Sequence, residues 1–321
     1  MTTPRYSPQA LSDFAQNCLL KAGLQADMAR CVAETLVEGD LLGHDTHGLN
    51  LLAPYVKELE SGAMTRSGSP KILMDKPAAL SWDGQRLPGP WLVRRGLDTL
   101  MPRARDLGCA SLVIQRGHHI ACLAVYLRWA LEQGFLMLLA SSDNNSASVA
   151  PFGGTQAVFT PNPLALGFPL SDGGVMIDIS ASITTNNMLN RKRAAGERYA
   201  HDVLMDAQGH PTNDPAVLSQ TPPGTLLPVG GLTHGHKGFG LALLVESLTA
   251  GLSVPIPLWY RRQGEIETAL GTQHRAEAER MRARHELEQA ITQHTQEVRT
   301  AQDQLQVFET GLLKQAEQTL T

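Results

Sequence analysis

Gly39-Asp40-Leu41-Leu42-Gly43-His44-Asp45-Thr46-His47-Gly48-Leu49-Asn50 is the stretch on which the reading of this chain turns. Two histidines flank an aspartate and a threonine, and a glycine follows. Histidine is the side chain that gives or takes a proton near neutral pH. A glycine beside it lets a backbone or a ligand approach closely. By residue type alone the stretch reads equally as a helix ending on a polar turn, with His47 partly exposed at the surface. The flanking segments weigh between these.

Upstream, Ser7-Pro8 is a helix start, with serine at the N-cap and proline at the first helical position. Leu11, Phe14, Cys18 and Leu19 recur at helical spacing, and Gly23 stops the run. Residues 26–42 repeat the pattern through Met28, Val32, Leu36 and Val37, and 51–59 form a third short helix ended by Ser61-Gly62. His47 therefore falls between the second and third helices of a small helical unit, residues 1–70.

From about residue 72 the chain changes character. Residues 78–84 read as a strand and turn, 92–107 as a helix ending at Gly108, and 109–115 as a buried strand. Arg116-Gly117-His118-His119 leads to a helix over 121–133, closed by Gly134, and to a strand over 135–141. Strand, polar turn, helix, glycine and strand make an α/β unit. Asp143-Asn144-Asn145-Ser146 and Pro151-Phe152-Gly153-Gly154 are loop chemistry. In Thr160-Pro161-Asn162-Pro163 the two prolines are expected to fix an extended loop outside any ladder, because proline lacks the N–H. Residues 175–180 form an apolar strand interrupted by Asp178, or a strand-end turn. Asp206-Ala207-Gln208-Gly209-His210 is a polar turn. Gly235-His236-Lys237-Gly238 is expected just before a helix over 241–248, where glycine N–H groups and a lysine can hold an anion; an ordinary glycine-rich turn has the same composition.

At 321 residues, 42% hydrophobic and 18% charged, the chain can bury a sizeable core. Its net charge of −4 gives no argument for nucleic acid or an anionic membrane. Cys18, Cys31, Cys109 and Cys122 match no zinc spacing and read as reduced core thiols. With no apolar signal core and no apolar run of membrane-spanning length, the expected compartment is the cytoplasm.

As a set, and in order, these segments resemble the malate/L-lactate dehydrogenase family, whose nicotinamide-binding domain is not a Rossmann fold. The resemblance rests on Asp45-Thr46-His47-Gly48 with Tyr55 and Gly62, His119 at the opening of its helix, Pro151-Phe152-Gly153-Gly154 and Thr160-Pro161-Asn162-Pro163. It also rests on Asp178-Ile179-Ser180-Ala181-Ser182, on 206–215 and on Gly235-His236-Lys237-Gly238, and it covers residues 5 to about 252. It implies NAD- or NADP-linked interconversion of a small 2-oxo acid and its 2-hydroxy acid, no metal, and a homodimer. It implies His47 as the acid and base, and Asp178, in a loop lining the nicotinamide, as the group that orients or charge-balances it. His119, Asn162, Met176, Ile177, Asp178, Ile179, Ser180, His236 and Lys237 are the implied cofactor and cleft positions. Many relatives carry an arginine four residues after the histidine, where a guanidinium suits a substrate carboxylate. Here that residue is Leu51.

Beyond Leu252 the pattern is different. Residues 251–266 look like the strand-to-helix stretch of an outer-membrane efflux protein. Leu287, Ile291, His294, Val298, Ala301, Leu305, Phe308 and Leu312 then alternate spacings of four and three, a heptad seam. The expected architecture is an N-terminal helical unit (1–70), an α/β body (71–252) and a foreign coiled-coil-like helix (253–321). The alternative to a working dehydrogenase is a catalytically impaired remnant that acts only as a coiled-coil interaction protein.

Overall fold

Ser7 accepts the N–H of Ala10 at 3.1 Å and starts α1 (Pro8–Lys21), the first element in a computed structural model that describes residues 5–143, 147–171, 173–250 and 263–307. Helices α2 (Ala26–Leu41) and α3 (Leu52–Glu60), the latter preceded by a 3-10 turn at Leu49–Leu51, complete the N-terminal helices. Their apolar faces meet in one core of Leu19, Met28, Leu36, Tyr55, Leu59 and Met64. Leu87, Trp91 and Leu92 belong to the same core, so α4 (Gly89–Leu107) packs on the N-terminal helices. Gly108, at φ +85, closes α4 in the left-handed conformation that glycine adopts without strain.

Strand β1 (Lys71–Asp75) pairs antiparallel with β2 (Ala79–Asp83), which pairs parallel with β3 (Ser111–Gln115). The α/β unit read from the sequence is present as β3, α5 (Leu123–Glu132) and β4 (Met137–Ala140), but its two strands lie in different sheets. Strand β3 is half-buried rather than buried. Strand β4 joins β5 (Pro163–Leu170) and β6 (Gly173–Ser180) in an antiparallel sheet. Helix α5 covers one face of it, with Leu123 and Leu127 packed on Ala165 of β5 and on Met137 and Leu139 of β4. Because side chains alternate along a strand, Leu138, Ile177 and Ile179 point to the opposite face. There they stay 41–52% exposed.

After β6 come α6 (Asn186–Ala195), the two-residue strands β7 (Leu204–Met205), β8 (Pro211–Thr212) and β9 (Thr225–Leu226), and α7 (Gly231–Ala250). The Asp206 carboxylate accepts the N–H groups of Gln208 and His210, so the polar turn at 206–210 is the hairpin between β7 and β8.

Four expectations are corrected. Pro163 does join a ladder: it is the first residue of β5, paired with Ser180, a place where a missing N–H is tolerated. Asp178 lies within β6, paired with Ala165, as the strand reading of 175–180 has it and not in the loop that the resemblance implies. Helix α5 begins at Leu123, so His119 stands in an irregular segment ahead of it. Gly235 to Gly238 lie inside α7, not before it. Their glycines are there for close packing, since a Cβ on Gly235 would meet Phe152 at 2.7 Å and one on Gly238 the N of Val229 at 2.3 Å. Of the cysteines, Cys31 and Cys122 are buried, Cys18 is half-buried and Cys109 is exposed.

The chain divides into two compact units, Met1–Val254 and Pro255–Thr321. In the second, α8 (Gln263–Val307) is a single helix about 68 Å long. Its seam residues Leu287, Ile291 and Val298 are exposed. The break at Leu252, the stretch 251–262, Asn144-Asn145-Ser146, Phe308 and Leu312 lie outside the described residues.

Gly238→Ala should destabilise the first unit by roughly 1–3 kcal/mol, because its methyl group meets backbone that cannot swing away. Gly240→Ala, where a Cβ meets nothing within 4 Å, should stabilise α7 by about 0.5–1 kcal/mol. Urea unfolding of the two variants beside the parent checks both signs.

Candidate active site

The turn after α2 is built by short-range backbone bonds. Gly43, at φ +86, lets the chain reverse, and the N–H groups of His44 and His47 donate to Gly39 and His44. Asp40, near the end of α2, accepts the N–H of Leu49 at 3.0 Å. From the other side, α6 clamps the turn: Asn187 donates to the carbonyl of Thr46 at 2.8 Å, and Arg191 pairs with Asp45 at 2.8 Å.

His47 so held has its Nδ1 2.9 Å from the Thr46 hydroxyl, and its ring stacks on that of His119, with centroids 5.9 Å apart and planes 20° from parallel. His119 reaches this position because Gly89, at the start of α4, has no side chain. A Cβ there would lie 2.3 Å from the His119 carbonyl oxygen. Behind His119 stands the fully buried Tyr55, whose hydroxyl is 2.8 Å from Nδ1 and 3.2 Å from the backbone oxygen of the same residue. The Ala121 N–H also points at Nδ1, at 3.2 Å. A backbone N–H can only donate, so Nδ1 is a bare acceptor and the ring proton sits on Nε2.

Burial sets the charge of these rings. It pushes His119 down to about 4, helped by the positive charge that His47 and His118 would carry. Burial also lowers His47, with His44 adding in the same direction, and lowers His118 against the opposing pull of Glu58. Near neutral pH the stacked pair is neutral.

Asp178 is mostly buried on β6, and burial raises its carboxyl above the ordinary range. Its Oδ2 accepts the Ala124 N–H at 2.9 Å at the start of α5. The imidazole beside it is His44, not His47. Asn162, at φ +46, is fully buried: its amide N–H groups donate to the Ala242 carbonyl and to Glu246, and its oxygen accepts from Thr160. Its amide therefore ties β5 to α7 and faces no cleft. Met176, Ile177 and Ile179 are exposed along β6, with Ser180 half-buried at its end. His236 and Lys237 are exposed on α7, and the turn that carries them touches that end of β6, since a Cβ on Gly238 would lie 2.9 Å from the Ala181 carbonyl. Tyr55, Asn187 and Asp40 were not among the expected site residues. Tyr55 was visible only as part of the motif, and Asn187 sits on a helix with no apolar period to disclose it.

A model of the malate/L-lactate dehydrogenase family matches residues 6–308. The chain belongs to this family. The match runs past Leu252, where the sequence alone suggested that the family pattern ends. Individual relatives align over shorter spans. The L-lactate dehydrogenase of Cupriavidus necator is 32% identical over 243 residues, which cover 75% of this chain and 68% of that protein. Among solved structures, malate dehydrogenase from Entamoeba histolytica superposes with a TM-score of 0.72 at 25% identity, covering 77% of this chain and 70% of the other. Delta1-piperideine-2-carboxylate reductase from Pseudomonas syringae superposes with a TM-score of 0.71 at 27% identity, covering 78% and 73%. The α/β body is thus the family's fold, and the family consists of oxidoreductases. No helix among the described residues is long and apolar enough to cross a membrane.

The depressed His119 ties stability to pH. The unfolded chain takes up a proton near the ordinary value of 6.5 and the folded chain only near 4, so the unfolded state binds more protons between these values. Folding stability should therefore be full above about pH 6.5 and should fall by about 3 kcal/mol on acidification to about pH 4 from this residue alone. Urea midpoints across that range, in the parent and in His119→Gln, test it: the variant's slope should be shallower.

Proposed function

We propose that this chain is a nicotinamide-dependent dehydrogenase that moves a hydride between NAD or NADP and a small 2-hydroxy or 2-oxo acid. The observation that carries the proposal is the stacking of His47 on His119, with Tyr55 fixing the tautomer of the second ring. Residues far apart in the sequence converge on a pair of neutral imidazoles in a mostly buried place, where a neutral ring can accept the proton released as a hydroxyl loses its hydride.

The residues fit a nicotinamide dinucleotide. The turn of α7 with His236 and Lys237 adjoins the end of β6, so a cation without a salt-bridge partner among the described residues lies near an exposed apolar strand. Lys237 and His236 would meet phosphate, and Met176 to Ser180 would line a flat ring. The cofactor supplies or accepts the hydride. His47, whose burial favours the neutral ring, takes the proton of the hydroxyl when a 2-hydroxy acid is oxidised and, once protonated, returns it to the alkoxide that forms when a 2-oxo acid is reduced. His119, neutral and carrying its proton on Nε2, donates a hydrogen bond to the substrate oxygen. Asp178, joined to the same region through His44, shapes the strand beneath. Leu51 packs on the N-terminal core, so it offers no guanidinium to the substrate carboxylate. The proposed assembly is a homodimer in the cytoplasm, organised as the segments 1–70, 71–252 and 253–321.

One observation favours the alternative of an impaired remnant. The face of the β4–β6 sheet opposite α5 displays Leu138, Ile177 and Ile179. At about 25 cal/mol per Å², leaving a few hundred Å² of such surface uncovered costs several kcal/mol. That is a large part of a typical stability of about 5–15 kcal/mol.

Oxidation of NADH and NADPH with a panel of 2-oxo acids decides between the two. In an active chain, His47→Asn should lower turnover by about two to four orders of magnitude with nucleotide affinity little changed. Lys237→Ala should weaken NAD(P)H binding, read by nucleotide fluorescence, without changing the unfolding midpoint. Unaltered turnover in His47→Asn would remove that residue from the mechanism. Failure of the parent to bind either nucleotide would leave the remnant reading.

A further inference from the structure

We propose that His44, Cys122 and Asp178 form a binding site for one divalent ion of the zinc class. The proposal does not rest on the dehydrogenase reading. The three residues come from separate elements: the turn after α2, the residue before α5 and the middle of β6. One imidazole nitrogen, the Cys122 Sγ and one carboxylate oxygen all lie within 4.8 Å of one another, and Sγ stands 4.0 Å from Asp178 Oδ2. Zinc takes sulfur at about 2.3 Å and nitrogen or oxygen at about 2.0–2.2 Å in a tetrahedron, which sets ligand atoms roughly 3.3–3.8 Å apart. The cluster therefore needs to contract by only about 1 Å. His44, half-buried on a turn, can supply that movement by rotating its side chain.

The donor set is selective. One sulfur, one nitrogen and one oxygen suit a borderline ion such as zinc or cobalt, and do not suit calcium or magnesium. The carboxylate is already oriented from outside, because the Ala124 N–H holds Oδ2 at 2.9 Å and leaves the other lone pairs for a metal. Water completes the fourth position. Cys122 is the last residue before α5 and packs near Val125 and Trp129. A metal takes this residue as a thiolate, so the thiol proton must leave. Binding breaks the S–H bond, forms the metal–sulfur bond and releases one proton to solvent. Affinity accordingly rises with pH. No pair of cysteines is involved, which is why cysteine spacing in the sequence is silent about the site. Once filled, it would tie the turn carrying His47 to α5 and β6.

The test is a Co²⁺ titration of the full chain, reduced, without a histidine tag or chelator. One equivalent should bind with a near-ultraviolet thiolate-to-cobalt charge-transfer band and the visible bands of a four-coordinate ion. Zn²⁺ should displace it. Cys122→Ser should lose the charge-transfer band, and His44→Ala should weaken binding tenfold or more. Cys109→Ser should keep the band, because that exposed thiol is not a ligand. Circular dichroism establishes that each variant is folded, and His44→Ala, on a turn, tests the site even where the buried Cys122 resists replacement. Absence of the charge-transfer band in the folded parent, its persistence in Cys122→Ser, or unchanged affinity in His44→Ala would each overturn the proposal.

Discussion

The carboxylate of Asp40 accepts the N–H of Leu49 through space that a side chain on residue 48 would fill: a Cβ there would lie 1.9 Å from Asp40 Oδ1. This one bond joins the end of α2 to the turn that begins α3, and so fixes the reversal on which His47 is mounted. It also explains why glycine follows that histidine. The requirement is not for a positive φ, since Gly48 has φ −97. It is for absence of volume. Gly39 adds a second close approach, with a Cβ position 3.2 Å from the His47 carbonyl and 3.4 Å from Cys122. Two positions without side chains thus let α2, the turn and the start of α5 come together.

What that closeness produces is electrostatic. The imidazoles of His118 and His119 stand edge-on to Tyr55, and that of His47 stacks on His119. If charged they would repel one another, and burial penalises each charge separately. Both effects favour the neutral rings. The Tyr55 hydroxyl, whose own ionisation burial also opposes, then serves as a fixed donor to His119 rather than as an acid. The site is prepared by withholding charge.

Much of this was legible in the sequence, for identifiable reasons. The helices α1 to α4 carry apolar residues at helical spacing, and Gly23, Gly62 and Gly108 follow the ends of α1, α3 and α4. The motif Asp45-Thr46-His47-Gly48 marked the turn on which the stacked His47 is mounted. The helix α6 was invisible because it is polar and asparagine-rich. Its signals were only Thr185, which caps it through the N–H of Met188, and Gly196 at its end. The first half of α7 reads as a glycine-rich turn because glycine argues against helix. Yet Gly231, Gly235, Gly238, Ala242 and Val245 form a buried helical seam in which small size, not propensity, is selected. Asp178 reads as the one carboxylate in an apolar strand, and so it stands in β6, but what it faces is hidden from the local sequence. A carboxylate interrupts an apolar strand when it has a helix N-terminus to face, and that partner, Ala124, lies far away in the sequence.

The pairing of Asn162 with Pro163 bears on how this protein ages. An asparagine side chain converts to aspartate most readily when the following backbone nitrogen attacks it and closes a five-membered imide. Proline has no N–H to lose in that ring closure. The residue that opens β5 thus shields its neighbour chemically. The shielding matters because Asn162, itself fully buried, donates to Glu246 at 2.8 Å. An aspartate formed there would set two carboxylates against each other, and the join between β5 and α7 would loosen. Spontaneous damage over the lifetime of the molecule is thereby diverted from this joint to asparagines that are followed by other residues.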